Sequence, residues 1–221
     1  KKEKSLLSWF KRRKLSDYGK TRKDLTSPKI FDLLANFKYI VPQGSIMASA
    51  GRTDIVTSLS NCFVVGQPED SYGGIMKKDE QLAQLMKRRG GVGLDLSPLR
   101  PKGVKVTNSA GSSTGIRPFM ERYSNTTREV AQDGRRGALL MSVDCRHPDV
   151  LDFINAKQDR TKVTGANISV MMRDELMRAA SYNEDYLLRW PCDMDISEAK
   201  DFGMYPYNEL MAYGEGYVKR V

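Results

Sequence analysis

Histidine is almost missing from this 221-residue chain: His147 stands alone, so no Cys/His zinc cluster can be assembled. Cysteine is scarce as well. Cys62, Cys145 and Cys192 are odd in number and lack CxxC spacing, which excludes a disulfide-framed secreted scaffold and points to a reducing compartment. Apolar runs reach about five residues, against the roughly 20 that a membrane span needs. Leu6-Leu7 and Trp9-Phe10 do not make a signal-peptide core. A cytoplasmic location without a membrane partner is therefore expected. No GxGxxG, Walker A or GxSxG motif occurs, and Gly90-Gly91-Val92-Gly93 runs from helix into strand, the reverse of a dinucleotide fingerprint.

What is present describes a globular chain, 40% hydrophobic and 29% charged. Its formal charge of +9 is unevenly spread. Residues 1–23 carry ten basic groups and two acids, which leaves the rest at +1. Nucleic acid, the first partner a basic chain suggests, is thus not the expected one. Leu6 to Phe10 followed by Lys11-Arg12-Arg13-Lys14 reads as a short basic amphipathic helix that docks Leu7, Trp9 and Phe10 on the protein. The competing reading is a membrane-surface or nucleic-acid contact.

Helices alternate with short strands along the chain, which predicts an α/β or α+β class. Ser27-Pro28 opens a helix, with Ser27 as cap and Ile30, Phe31, Leu33, Leu34 and Phe37 on its apolar side. A Gly/Ser loop follows from Gln43 to Thr53, then a strand over 59–65. A helix over 75–89 places Ile75, Leu82, Leu85 and Met86 on one stripe and stops at Gly90-Gly91. Strands are expected at 92–96, 138–143 and 166–171, and helices at 118–130, 148–157 and 174–180. Residues 97–113 form a polar loop region or a hairpin, and the segment from Tyr182 is mixed. His147, before Pro148-Asp149, sits where a helix cap belongs.

Chemistry has few places to sit. A cysteine within an apolar strand, such as Cys62, is ordinarily a small buried hydrophobe. Gly91 and Gly93 let a backbone approach a ligand closely. Arg100, Lys102 and Lys105 lie in one Gly/Pro loop, and Arg135 and Arg136 in another. Such loops suit phosphate. With the turn at Asp70-Ser71 they point to a nucleotide, the carboxylate facing ribose or base.

The ordered segments Ser58-Leu59-Ser60-Asn61-Cys62-Phe63-Val64, Asp70-Ser71-Tyr72-Gly73-Gly74-Ile75, Lys87-Arg88-Arg89-Gly90-Gly91-Val92-Gly93-Leu94 and Ser97-Pro98-Leu99-Arg100-Pro101-Lys102-Gly103 resemble a known family. Gly134-Arg135-Arg136-Gly137-Ala138, His147-Pro148-Asp149 and Asn167-Ile168-Ser169-Val170 continue it. The chain is similar to the large catalytic subunit of ribonucleotide reductase, over about Thr26 to at least Trp190. The resemblance implies the first half of a ten-stranded α/β barrel, preceded by a short helical segment. It implies reduction of ribonucleotides by thiyl-radical chemistry: the ribose 2′-oxygen leaves as water while two thiols become one disulfide. Cys62 would be the first cysteine of that redox pair. Ser45, Ser60, Asn61, Gly90 and Gly91 would bind substrate. Asp70, Ser71 and Tyr72 would read a dNTP effector, or ATP, at a specificity site on a homodimer interface built around the helices at 75–89 and 117–130. Arg100, Lys102 and Lys105 would hold its phosphates, and Gln132, Arg135 and Arg136 would carry its identity to the substrate through a second loop.

The family needs more than these residues. No Asn-x-Cys-x-Glu segment supplies the radical cysteine and glutamate, and Cys145 and Cys192 match no family position. The resemblance therefore implies a piece, truncated or naturally split: an arm at 1–25, a helical remnant at 26–57 and a half barrel at 58–221. Its implied partners are the remaining half of the large subunit, a radical-generating small subunit and thioredoxin or glutaredoxin. No metal or cofactor is expected on this chain; the radical would come from a metal-carrying small subunit or adenosylcobalamin. A non-catalytic dNTP-binding regulatory module is the alternative, and it would not need Cys62.

Overall fold

The computed structural model describes residues 17–21, 23, 25–132, 135–197 and 204–221, without the side chains at 18, 19 and 131–136. The expected amphipathic helix near the start of the chain lies outside these residues. Two compact units, 1–43 and 44–221, divide the chain. The first holds α1 (Asp17–Lys20), α2 (Ser27–Leu34) and a 3-10 turn at Ala35–Phe37. Thr26, not Ser27, is the extended cap residue of α2, and its carbonyl accepts from Ile30 N at 3.0 Å. Pro28 then sits within the first turn, where its missing N–H costs nothing. No residue of α2 is buried, so among the described residues the expected apolar side of this helix packs on no core.

The second unit begins with α3 (Ser45–Ser49), a helix where the Gly/Ser composition predicts a loop. Five residues cannot hold a helix by propensity. Tertiary contacts do so: Ser45 and Ser49 are buried, and Asn61 Oδ1 accepts from Ser45 N at 2.6 Å. Residues 44–57, expected as the end of a helical remnant, accordingly belong to the unit that carries the sheet.

That sheet is parallel, in the order β1 (Cys62–Val64), β2 (Gly91–Asp95), β5 (Leu139–Asp144), β6 (Asn167–Met171). Between its strands run α4 (Tyr72–Met86), α5 (Arg117–Glu129), a small β3–β4 hairpin (Ala131–Gln132, Arg135–Arg136) and α6 (Val150–Asn155). Helix α7 (Asp174–Tyr182) follows. β7 (Leu187–Trp190), β8 (Leu210–Tyr213) and β9 (Gly216–Arg220) then make a separate antiparallel sheet with β9 in the middle. The class is α/β, with a four-stranded parallel sheet that fits part of an α/β barrel.

The period-2 alternation of the strands decides what is covered. Val92, Leu94, Leu139, Met141 and Val143 are buried in one core with Leu82 and Met86 of α4, Met120 and Tyr123 of α5 and Phe153 of α6. Helices α4 and α5 are locked by Tyr123, whose hydroxyl donates to Ile75 O at 3.0 Å, and by Asp79, which takes Arg122 at 2.8 Å and Thr126 Oγ1 at 2.5 Å. The opposite sheet face carries Cys62, Val64, Gly91, Gly93, Leu140 and Ser169. It is open among the described residues: Val64 is 90% exposed and Leu140 44%.

Candidate functional site

Cys62 opens β1 with its thiol exposed, which overturns the reading of this cysteine as a small buried hydrophobe. Two local facts produce the exposure. The strand covers only 62–64 rather than 59–65, so Cys62 stands at its mouth. Its neighbour in register is Gly91, and Val64 faces Gly93, so β2 places no side chain beside the thiol.

The rest of the predicted substrate cluster gathers around this point. Gly91 N donates to Asn61 O at 2.7 Å, and Gly90 N closes the end of α4 on Leu85 O at 3.1 Å. Asn61 turns its side-chain oxygen to Ser45 N, and Ser45 Oγ donates to Arg89 O at 3.4 Å. Gly44, at φ +59°, allows this approach: a Cβ there would overlap the Asn61 amide. Ser60 is exposed, its N–H held by Ser58 Oγ at 3.0 Å. Ser45, Ser60, Asn61, Cys62, Gly90 and Gly91 thus meet at the N-terminal end of two adjacent strands. Ser45 itself is 1% exposed and closes the floor.

A second site lies at the other end of the β1–α4 connection. Asp70, Ser71, Tyr72 and Arg100 line a cavity of about 280 Å³ with Phe119 and a loop from Val106 to Thr114. Ser71 caps α4, accepting from Gly74 N at 3.0 Å. The Asp70 carboxylate accepts from Arg100 Nε at 2.7 Å and from Arg100 N at 3.0 Å. Tyr72 meets Phe119 edge-on with centroids 6.1 Å apart, an aromatic wall. The cavity therefore joins a carboxylate, a guanidinium, hydroxyls and apolar rings. Of the two forms expected for 97–113, the hairpin is the one found at its tip, bridged between Lys105 and Ser112.

The other residues expected at an effector site part company. Lys102 lines a neighbouring cavity with Arg117, Asp149 and Lys162 rather than the Asp70 cavity. Pro101 and the Lys102–Asp149 bond turn the chain away there. Lys105 is exposed on the hairpin. The side chains of Gln132, Arg135 and Arg136 lie outside the description, although their backbone pairs as β3–β4.

Sequence reasoning missed a polar cluster at the C-terminal ends of the strands. Asp144, 2% exposed at its side chain, takes Arg146 at 2.8 Å and Arg173 at 2.7 Å. Burial pushes its carboxyl up, but the Arg146 and Arg173 hydrogen bonds outweigh that and hold it at about 2. Cys192 lies nearby, its thiol pushed up to about 12, chiefly by burial. Burial also raises Cys145. Neither suits thiolate chemistry, in keeping with the structural reading of both. Among the described residues no group of three His, Cys, Asp or Glu could hold a metal ion, and no helix is long and apolar enough to cross a membrane.

The model for the ribonucleotide reductase barrel domain matches residues 60–219. The chain belongs to that family. It is 34% identical over 153 residues to a vitamin B12-dependent ribonucleoside-diphosphate reductase of Mycobacterium tuberculosis, covering 68% of this chain and 22% of that protein. It is 28% identical to the ribonucleoside-diphosphate reductase large subunit of Caenorhabditis elegans, covering 61% and 18%. The Monkeypox virus large subunit is 27% identical, over 73% of this chain and 21% of its own. The chain thus spans about a fifth of the length of these relatives.

Proposed function

We propose that this chain supplies part of the active site and the specificity site of a ribonucleotide reductase large subunit. The observation that carries the reading is Cys62 exposed at a strand mouth, opposite Gly91 and beside Asn61 and Ser45. A ribose can lie against Gly91 because no Cβ stands there, with its 2′ position toward the thiol. Cys62 and a second thiol from outside these residues would become a disulfide as the 2′-oxygen leaves as water. Asn61 would orient the substrate, its side chain held in place by Ser45 N beneath it. The radical that starts the reaction would be generated elsewhere, by a metal-bearing small subunit or adenosylcobalamin. M. tuberculosis and C. elegans relatives, one named as B12-dependent and one as a large subunit, leave both sources open.

The Asp70–Arg100 cavity supports a dNTP or ATP effector: the guanidinium for phosphate, Asp70 for the ribose hydroxyl, and the Tyr72–Phe119 wall for the base. Helices α4 and α5, which border this cavity, would meet their mates in a homodimer. Thioredoxin or glutaredoxin would return the disulfide to dithiol, in the cytoplasm.

The test is Cys62→Ser in the full-length subunit. Deoxyribonucleotide formation should fall at least 1,000-fold, with dNTP binding kept. Unchanged reduction would reject the catalytic role and leave the regulatory module, for which the Asp70–Arg100 cavity alone suffices.

A further inference from the structure

The loop that walls the nucleotide cavity, 106–114, is the tip of a hairpin with its own backbone bonds: Val106 N to Gly111 O at 3.0 Å, Gly103 N to Ser113 O at 2.9 Å and Ser113 N to Val104 O at 2.8 Å. It leaves the body of the protein at Lys102 and returns at Ile116. One carboxylate ties both ends of this hairpin to the body. Asp149, 7% exposed, accepts from Lys102 N at 3.1 Å on each of its oxygens and from Ile116 N at 3.2 Å. Gly115 is the residue between them, at φ +79°. A Cβ there would overlap the Asp149 carboxylate and come within 2.9 Å of the Lys102 Cβ and 3.0 Å of its N. The neck is closed so tightly that no side chain fits it.

His147 secures the same neck from below. It is fully buried, and both of its ring nitrogens are hydrogen-bonded. Nδ1 accepts from Asp149 N at 3.0 Å, which leaves the proton on Nε2, donated to Leu99 O at 2.8 Å. Burial lowers its pKa, consistent with a neutral ring. Leu99 O belongs to the peptide that leads into Arg100, whose guanidinium stands in the cavity. The ring therefore spans from the Asp149 backbone to the base of the phosphate-binding residue.

We propose that Asp149 and His147 are positioning residues of the nucleotide cavity: they clasp the neck of its wall loop without lining the cavity. The inference rests on the nucleotide reading above. A hairpin no longer tied to the body would have to be positioned by the ligand itself, and that ordering cost appears as lost affinity.

The test uses the full-length subunit with Asp149→Ala and, as an independent route to the same neck, Gly115→Ala. Asp152→Asn, a change in the neighbouring cavity outside the clasp, is the control. Hydrogen–deuterium exchange should quicken in peptides covering 102–116 in both neck variants and not in the control. Equilibrium binding of each of the four dNTPs should weaken at least 10-fold in both. Reduction at saturating effector should stay within 2-fold of wild type, a split that a general loss of stability would not produce. Unchanged exchange over 102–116, or full affinity despite quickened exchange, would overturn the proposal. Wild-type protein that bound none of the four would overturn the nucleotide reading, while exchange would still decide whether the clasp exists.

Discussion

The buried carboxylate of Asp144 shows how much one residue can hold. Arg146 and Arg173 both spend their guanidinium donors on it, and its carboxyl sits at about 2 against 3.8 in an unfolded chain. A depressed value stabilises the folded state above the unfolded pKa, and that stabilisation is lost as pH falls from about 4 through about 2. The shift corresponds to about 2 kcal/mol. Urea unfolding of the chain should show wild type losing its advantage over Asp144→Asn across this window, and a constant difference would contradict the pairing. The sequence carried no sign of this cluster, because Asp144 and Arg173 are brought together only by β5 lying beside β6. The same holds for Asp149, which meets Lys102 and Ile116 across more than thirty positions of chain. The composition around Cys62 was misleading about its exposure. An apolar segment predicts burial, but the strand starts at the thiol itself and glycine faces it.

At the scale of elements, helix α4 was the most legible. Its stripe of Ile75, Leu82 and Met86 is buried as the 3.6-residue period requires, and Ser71 caps it. Leu82→Ala removes a side chain with no exposed surface, and should cost about 2–5 kcal/mol in the unfolding free energy measured with urea. A loss below about 1 kcal/mol would mean that α4 does not carry the core. Helix α3 was illegible, since a Gly44-Ser45 start followed by Ala and Ser has the composition of a loop, and only its contact with Asn61 makes it a helix. The final segment was equally opaque. Its Tyr and Pro turns hide three strands whose pairing, β7 to β9, joins residues on either side of a long excursion.

For the whole molecule, the sheet is the informative object. One face is packed under α4, α5 and α6, while the other presents Cys62, Val64 and Leu140 to the open side. Large apolar side chains exposed on a sheet face mark a surface built to be covered, as the facing half of a barrel would cover it. The opening charge of +9 bears little on this. The cations that matter to the account are Arg100 in its cavity and the arginines that neutralise Asp144, and the body around them is near neutral. The account turns on whether Cys62 gives up its electrons to a ribonucleotide. The most direct measurement is a single turnover of pre-reduced full-length subunit with its radical source and one ribonucleotide, without external thiol, followed by alkylation and peptide mass mapping. The account predicts one disulfide containing Cys62 per deoxyribonucleotide formed, and Cys62 found free and alkylated after product has formed would contradict it.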